Sequence, residues 1–469
     1  MSGNRHDLSS VKTALVGDRA FYAMVLSILI PIIIQNAITN FVNLLDNVMV
    51  GQVGTEQMTG VSVANQLIFV FNLFVFGCIS GPGIFSAQFH GAGNREGVQY
   101  CFRYKLYACI LLLLTAFGIL LPGGSFLITR FLHEEGNAER VAATLSHGMA
   151  YLHIILWGLP PFAVSQAYSG TLRETGETRL PMLAGITAVF VNLLFNYLLI
   201  FGHLGFPKLG VRGAAIATVI SRYVELAIVV TAVHSRPNAF PFAKGLYGSM
   251  RLPAALARDI TKKGLPLVAN EGLWSLGMTV LAQCYSVRGL DVVAAMNISN
   301  TISNVFAVAF LSMGSATAII IGQTLGSNDL EQARLQARRL IAFALFISLL
   351  TIIVMLAVAP LIPQLYQTSP QVRHLATRLL EIYALCTPMF AFCNTADFTL
   401  RSGGKTMITF LFDSGFTWVV CVPLAWSLVH LTSLSVVMIY LLVQLADIIK
   451  CVFGYVLLRK GIWLNNMVA

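Results

Sequence analysis

The sequence predicts an all-α polytopic integral membrane protein, with twelve transmembrane helices in two six-helix bundles related by pseudo-two-fold symmetry. Three observations support this fold class. Of the 469 residues, 57% are hydrophobic and only 11% are charged, a composition that soluble globular proteins do not show. Apolar stretches long enough to cross a bilayer recur along the chain, and the first half of the chain resembles the second.

The predicted helices are apolar segments of about 20 residues or more, the length that crosses a hydrocarbon core of about 30 Å. The first segment has polar residues in its middle and no small-residue cleavage site, so we interpret it as a spanning helix and not as a signal peptide. The segments cover approximately residues 20–48, 56–90, 99–122, 146–172, 180–202, 211–234, 262–287, 291–325, 337–358, 376–400, 405–429 and 433–458.

Positive charge is distributed unevenly between the predicted loops. With the N-terminus placed inside, most of the 30 Lys and Arg residues fall in inner segments, as the positive-inside rule describes. We therefore expect a multi-pass protein of the cell inner (plasma) membrane with both termini cytoplasmic. The same distribution accounts for the net charge of +10 without a nucleic acid partner.

An internal repeat relates the first six helices to the last six. Because six helices return the chain to its starting side, the halves should share one orientation, with the substrate bound between them. We predict an N-terminal lobe of residues 17–235, a cytoplasmic linker of 236–257 and a C-terminal lobe of 258–461. The matched positions include Gln88 with Gln323, Gly91 with Gly326, and Thr171-Leu172-Arg173 with Thr399-Leu400-Arg401.

Three motifs and the repeat carry a resemblance to a known family. Helix one ends in Leu45-Asp46-Asn47-Val48-Met49-Val50-Gly51, helix five contains Asn192-Leu193-Leu194-Phe195-Asn196-Tyr197, and helix six contains Gly213-Ala214-Ala215-Ile216-Ala217-Thr218. Over nearly its whole length the chain resembles the multidrug and toxic compound extrusion (MATE) family.

The resemblance implies a secondary active antiporter that exports organic, mostly cationic and amphipathic compounds in exchange for Na⁺ or H⁺ by alternating access. It implies no enzymatic activity and no cofactor besides the coupling ion. We expect the partners to be small organic substrates and the lipid bilayer, and the protein to be a monomer.

Asp46 is the first candidate for ion or proton coupling, because ionisable groups at membrane depth are costly and usually mark ion or substrate paths. It lies near the outer end of helix one. Polar residues approach it with helical spacing and should line a cavity; they are Asn36, Asn40 and Asn43. Alternatively, Asp46 lies in the headgroup zone.

Asn192 and Asn196 project from one face of helix five because they are four residues apart. With Asp46 and Thr218 they would supply oxygen ligands for Na⁺, whereas Asp46 alone would take a proton. The metal prediction is therefore a sodium site of Asp46, Asn192 and Asn196. In the alternative interpretation the asparagines only hydrogen-bond neighbouring helices.

Two carboxylates in the second half are further coupling candidates. Glu271 follows Asn270 in helix seven, and Asp397 lies one turn after Asn394 in helix ten; the two asparagines are predicted to line the cavity. Neither carboxylate matches the family position by position, because the usual ones lie about one turn later and about two turns earlier. Arg401 lies close to Asp397, so a structural ion pair is the alternative.

Pro31 is the predicted hinge, since proline removes a backbone donor and can bend helix one.

The first rival function is a lipid-linked saccharide flippase of the same superfamily, which would need several Lys or Arg in its cavity. Only Arg222 and Lys450 lie inside predicted helices. Each is three residues from a carboxylate, Glu225 and Asp447 respectively, so we expect local pairing. The second rival, a membrane enzyme, would need clustered chemistry, and the nine histidines are scattered.

Overall fold

A computed structural model of the chain describes residues 15–131, 138–366 and 368–469. Within these ranges the chain is almost entirely helical and contains no β-strand. Twelve long helices follow one another at positions close to the predicted segments. They are α1 (Arg19–Gly51), α2 (Thr55–Gly91), α3 (Arg95–Phe131), α4 (Glu139–Glu174), α5 (Arg179–Phe201), α6 (Val211–Ser235), α7 (Ala254–Ser286), α8 (Leu290–Gly326), α9 (Leu330–Val358), α10 (Pro370–Ser402), α11 (Thr406–Leu431) and α12 (Val436–Lys460).

Within the described residues, eleven of these helices are long and apolar enough to cross a membrane. The twelfth, α7, has 33 residues but carries Asn270 and Glu271 within its apolar stretch. These two side chains lower the mean hydropathy of the stretch because each offsets the contribution of an apolar neighbour. The chain is therefore a multi-pass helical membrane protein.

The first two helices of each half have equal lengths. α1 and α7 each span 33 residues and each contains one interior proline, Pro31 and Pro266 respectively. α2 and α8 each span 37 residues. The repeat seen in the sequence is thus also a repeat of helical elements.

The ends of α2 and α8 pack against each other through two glycines at corresponding positions of the repeat. A Cβ atom at Gly91 would overlap the carbonyl oxygen of Gln323, and a Cβ atom at Gly326 would overlap that of Gln88. The two contacts are reciprocal, as in an interface related by a two-fold axis. Only glycine allows the backbones to approach so closely.

The contacts between helices divide the chain into two compact units. The N-terminal unit comprises Ile34–Ser86 and Arg95–Ile260. The C-terminal unit comprises Thr261–Ala469, Ala87–Asn94 and the described residues up to Ile33. α1 and α2 therefore each contribute residues to both units. The lobes predicted from the repeat rest on sequence similarity and not on contacts, so they stay a prediction.

Apolar packing explains why the first half of α1 belongs to the C-terminal unit. Val25 and Leu29 are fully buried in a cluster with residues of α8 and α9, among them Ile321 and Leu340. In a membrane-spanning helix, such packing is stabilised mainly by van der Waals contacts with the neighbouring helices. The division of α1 falls just beyond Pro31.

The predicted linker between the lobes is held against α3 in the N-terminal unit. Gln99 Nε2 donates to the carbonyl oxygens of Phe242 at 3.0 Å and Lys244 at 2.9 Å. Arg103 donates to the carbonyl oxygen of Leu246, and the side chains of Phe242 and Leu246 are buried. This segment is therefore an ordered part of the unit.

Candidate ion-coupling site

Asp46 of α1 meets the two asparagines of α5 in the N-terminal unit. Asn196 Nδ2 donates to Asp46 Oδ1 at 2.6 Å. Asn196 is 1% exposed and Asn192 is 5% exposed. Their four-residue spacing places both amides on one face of α5, and this face is turned towards the carboxylate.

The Asn192 amide lies between Asp46 and Thr218. With its nitrogen turned towards Asp46, Nδ2 lies 2.9 Å and 3.1 Å from the two carboxylate oxygens, and Oδ1 accepts from Thr218 Oγ1 at 3.2 Å. Asp46 then accepts hydrogen bonds from two amides. Hydrogen bonds of this kind, from a neutral donor to a charged acceptor, are stronger than those between neutral groups.

Asn196 Oδ1 is buried beside this carboxylate and has no hydrogen-bond partner among the side chains that the structure describes. A buried carbonyl oxygen without a partner is costly, and it is a suitable ligand for a hard cation. The cluster thus offers one carboxylate, amide oxygens and a hydroxyl. This set can hold a monovalent cation, and the carboxylate by itself can take a proton.

Two of the α1 residues predicted to line the cavity are less enclosed than the asparagines of α5. Asn36 and Asn40 are exposed, and the side chain of Asn43 lies outside the part of the chain that the structure describes. Gln35, one residue before Asn36, accepts a hydrogen bond from Arg173 of α4 at 2.7 Å. The predicted cavity lining by Asn36, Asn40 and Asn43 stays a prediction.

The carboxylates predicted in the second half meet at one arginine in the C-terminal unit. Arg401 Nη2 lies 3.4 Å from Glu271 Oε1, and Arg401 Nε lies 3.0 Å from Asp397 Oδ2. The arginine side chain is 7% exposed, and the two carboxylates are 13% and 11% exposed. The ion pair of Asp397 with Arg401, which the sequence offered as the alternative to a coupling role, is therefore present. Glu271 shares the same arginine.

A second buried ion pair joins α11 to α12. Lys450 Nζ lies 2.8 Å from Asp413 Oδ1, and Asn270 Nδ2 donates to Asp413 Oδ2 at 3.1 Å. From the sequence, Lys450 is expected to pair locally with Asp447. That expectation is wrong, because Lys450 binds a carboxylate of the neighbouring helix.

The sequence signal for this pair is Asp413 itself, a charged residue within an apolar helix that needs a partner. Asp413 lies in the π-helical segment Leu411–Gly415, and a second π-helical segment follows at Thr417–Cys421. A π turn holds one more residue than an α turn and is frequent at functional sites.

The asparagines of the second half bind neighbouring helices. Asn394 Nδ2 donates to the carbonyl oxygen of Phe310 in α8 at 2.9 Å. Asn270 is 1% exposed, and its Oδ1 accepts from Ser414 Oγ at 2.7 Å. Both amides therefore bridge helices in this structure, and their predicted cavity role stays a prediction.

Many apolar helices in a repeat, with buried ionisable groups in both units, define a polytopic membrane transporter. The family model described as MatE matches residues 31–198 and 267–427, one copy in each half of the repeat. The chain belongs to the MatE family.

Similar proteins support this assignment. The probable multidrug resistance protein NorM of Thermotoga maritima is 27% identical over 405 residues, which cover 85% of this chain and 84% of that protein. The probable multidrug resistance protein YoeA of Bacillus subtilis is 26% identical over 410 residues, 87% of each chain.

Solved structures share the fold over almost the whole chain. One, described as the outward-facing conformation of a multidrug resistance MATE family transporter of the MOP superfamily, has a TM-score of 0.82 at 21% identity. The match covers 96% of this chain and 97% of that chain. The predicted fold class and the family resemblance are confirmed.

Proposed function

We propose that the protein is a secondary active antiporter that exports organic, cationic and amphipathic compounds in exchange for Na⁺ or H⁺ by alternating access. The observation that carries the proposal is Asp46, a carboxylate in a transmembrane helix that is held by the amides of Asn192 and Asn196. Membership of the MatE family and relatives named as multidrug resistance proteins support export of organic compounds.

The energetics of ion exchange are sufficient for such export. A hundredfold uphill gradient of a neutral solute costs about 2.7 kcal/mol. One monovalent cation moving inward through about 100 mV supplies roughly 2.3 kcal/mol, and a tenfold ion gradient adds about 1.4 kcal/mol. One ion therefore exports a neutral compound, while a cationic compound moving against the potential requires a second.

The coupling step is a change of charge at Asp46. A bound cation or proton neutralises the carboxylate, and a bound cation also gives Asn196 Oδ1 a partner. Pro31 lies in the same helix and lacks the backbone donor of an ordinary residue, so α1 can bend there when the contacts of Asp46 change. Glu271 and Asp397 are secondary candidates because Arg401 carries only one positive charge for both carboxylates.

The membrane placement follows from charge. The bias of Lys and Arg towards one set of loops supports a cytoplasmic position of both termini, and bacterial relatives support a location in the plasma membrane. In this orientation the substrate moves outward and the coupling ion moves inward. We propose that the transporting unit is a monomer.

The alternative function, a lipid-linked saccharide flippase, is less well supported. The structure buries more basic residues in helices than the sequence indicates, among them Lys105 and Arg401. Lys105 Nζ bonds to Glu174, however, and Arg401 pairs with two carboxylates. These cations are neutralised within the protein and are therefore poor ligands for a pyrophosphate.

The test is transport by the purified protein in liposomes. Efflux of a fluorescent organic cation is measured under a sodium gradient and, separately, under a proton gradient. Wild type is compared with Asp46→Asn and with the control Glu56→Gln, which changes a half-buried carboxylate paired with Arg140 at 3.1 Å. One gradient should drive efflux in wild type and the control but not in Asp46→Asn. If neither gradient drives efflux, the antiporter proposal is wrong.

A further inference from the structure

The segment that follows α12, Gly461–Ala469, folds back onto the ends of three helices in the C-terminal unit. We call this segment the clasp. It begins with Gly461 in the left-handed conformation, at φ 67°, which ends α12 and turns the chain. Trp463 is then buried to 1% exposure, although it stands outside every long helix.

Gln88 is the main attachment point of the clasp. Its Nε2 donates to the carbonyl oxygen of Asn465 at 3.2 Å and to that of Ser402 at 2.8 Å. Its Oε1 accepts from the backbone N–H of Met467 at 2.8 Å. Gln88 itself is fully buried, so one side chain near the end of α2 binds both the clasp and the end of α10.

The ends of α8 and α10 provide the other contacts. Asn466 Nδ2 donates to the carbonyl oxygen of Gly326 at 3.3 Å. A Cβ atom at Gly403 would overlap the carbonyl oxygen of Trp463, and one at Gly404 would overlap the Met467 side chain. The glycines that follow α10 therefore leave room for the clasp.

Gln88 lies just beyond the point at which α2 passes from one unit to the other. Thr55–Ser86 of α2 belongs to the N-terminal unit, while Ala87–Asn94 belongs to the C-terminal unit. The clasp thus holds the last turn of a helix whose greater part belongs to the other unit. Separation of the α2 end from α8 and α10 requires the bonds of Gln88 to break.

We propose that the clasp is a conformational latch: it fixes the ends of α2, α8 and α10 together on one membrane face, and its release from Gln88 precedes opening of that face. On the topology that the positive charges predict, this face is cytoplasmic. The role of the latch in transport rests on the proposed function, whereas its attachment does not.

The attachment is tested by hydrogen exchange of the full-length protein in nanodiscs. Gln88→Met keeps the length of the side chain and removes all its hydrogen bonds. Gln336→Met is the matched control, because Gln336 is also a buried glutamine of the C-terminal unit and its Oε1 accepts from Thr324 at 2.6 Å. We expect exchange of the clasp amides, Met467 included, to be at least about tenfold faster in Gln88→Met and unchanged in the control.

The consequence is tested by transport of a fluorescent organic cation in proteoliposomes. We expect Gln88→Met to change the KM for substrate on the clasp face by at least about threefold, since the closed and open states compete for the same protein. The control should keep the KM of wild type. If Gln88→Met does not fold, Asn466→Ala replaces it with both readouts.

Two results would overturn the proposal. The first is exchange of the clasp amides in Gln88→Met that is as slow as in wild type. The second is faster exchange in Gln88→Met together with a KM and a maximal transport rate equal to those of wild type. If wild type itself shows no ion-driven transport, the antiporter proposal fails, while the exchange comparison still decides whether Gln88 holds the clasp.

Discussion

Asp46 and Asn196 are 150 positions apart in the chain, and Asn196 Nδ2 lies 2.6 Å from Asp46 Oδ1. This bond joins the C-terminal part of α1 to α5. The proposed function assigns binding of the coupling ion to this carboxylate.

Asn196→Ala should change the affinity of the candidate site for the driving ion. The change removes the amide oxygen that could bind Na⁺, so if Na⁺ drives export its concentration for half-maximal export should rise by about tenfold. If H⁺ drives export, the H⁺ concentration should fall instead, because Asp46 loses a hydrogen bond that stabilises its charged form. The measurement is efflux from liposomes over a series of ion gradients. Asn297→Ala, at an exposed asparagine of α8, is the control; equal behaviour of the two variants would contradict the assignment.

Gly91→Ala should destabilise the protein, because its Cβ would overlap the carbonyl oxygen of Gln323 and force α2 away from α8. The expected loss is about 3 kcal/mol, at the upper end of overpacking effects, seen as a lower thermal unfolding midpoint in detergent. Gly118→Ala in α3 is the matched control, since no atom lies within 4 Å of its Cβ position. A Gly91→Ala midpoint equal to that of the control would refute the close contact.

Arg401→Met should leave the carboxylates of Glu271 and Asp397 buried without their cation. Breaking a buried ion pair from one side costs about 3–5 kcal/mol, so the folded fraction in thermal unfolding should fall. Adding Glu271→Gln and Asp397→Asn to Arg401→Met should restore most of the stability, because no uncompensated charge remains. A triple variant no more stable than the single one would show that the triad is not the cause.

Asp413→Asn should destabilise the protein more than Asp447→Asn. The first change leaves the ammonium of Lys450 without its 2.8 Å partner in the membrane, at a cost of about 3 kcal/mol. The second removes a carboxylate near Lys450 in sequence, which makes it a matched control. Thermal unfolding of both variants decides the pairing, and a larger loss for Asp447→Asn would favour the local pair.

Cysteine labelling tests the membrane orientation. Lys208 in the α5–α6 loop and Lys244 in the segment after α6 are both exposed. A membrane-impermeant thiol reagent should label Lys208→Cys in intact cells and Lys244→Cys only after lysis, because inner loops carry the positive charge. The reverse pattern would invert the topology and the direction of export.

The sequence predicted the positions of the helices and one face of the candidate site in the N-terminal unit. Hydropathy predicted the segment 20–48, and α1 extends over Arg19–Gly51. The four-residue spacing of Asn192 and Asn196 put their amides on one face before any contact was known, since helical geometry is local. The grouping of Asp46 with these amides was a hypothesis at the level of the sequence. In the structure Asn196 Nδ2 donates to Asp46 Oδ1.

The ion pairs of the C-terminal unit were less predictable. The sequence offered Arg401 as a neighbour of Asp397, but not that Glu271, 130 positions earlier, shares the arginine. It also favoured Asp447 for Lys450. The π-helical segments of α11 change the number of residues per turn around Asp413, and no regular helical period includes such a change.

The sequence by itself determined that this protein spans a membrane, that its helices form a repeat, and which polar residues lie within apolar segments. These properties are sums over neighbouring residues, and each residue contributes in the same way wherever the helix packs. The tertiary structure alone decided the partners, such as Asp413 for Lys450 and Gln88 for the clasp. A partner depends on backbone approach, helix irregularity and the burial of both groups at once, which residues distant in sequence acquire only when the chain is folded.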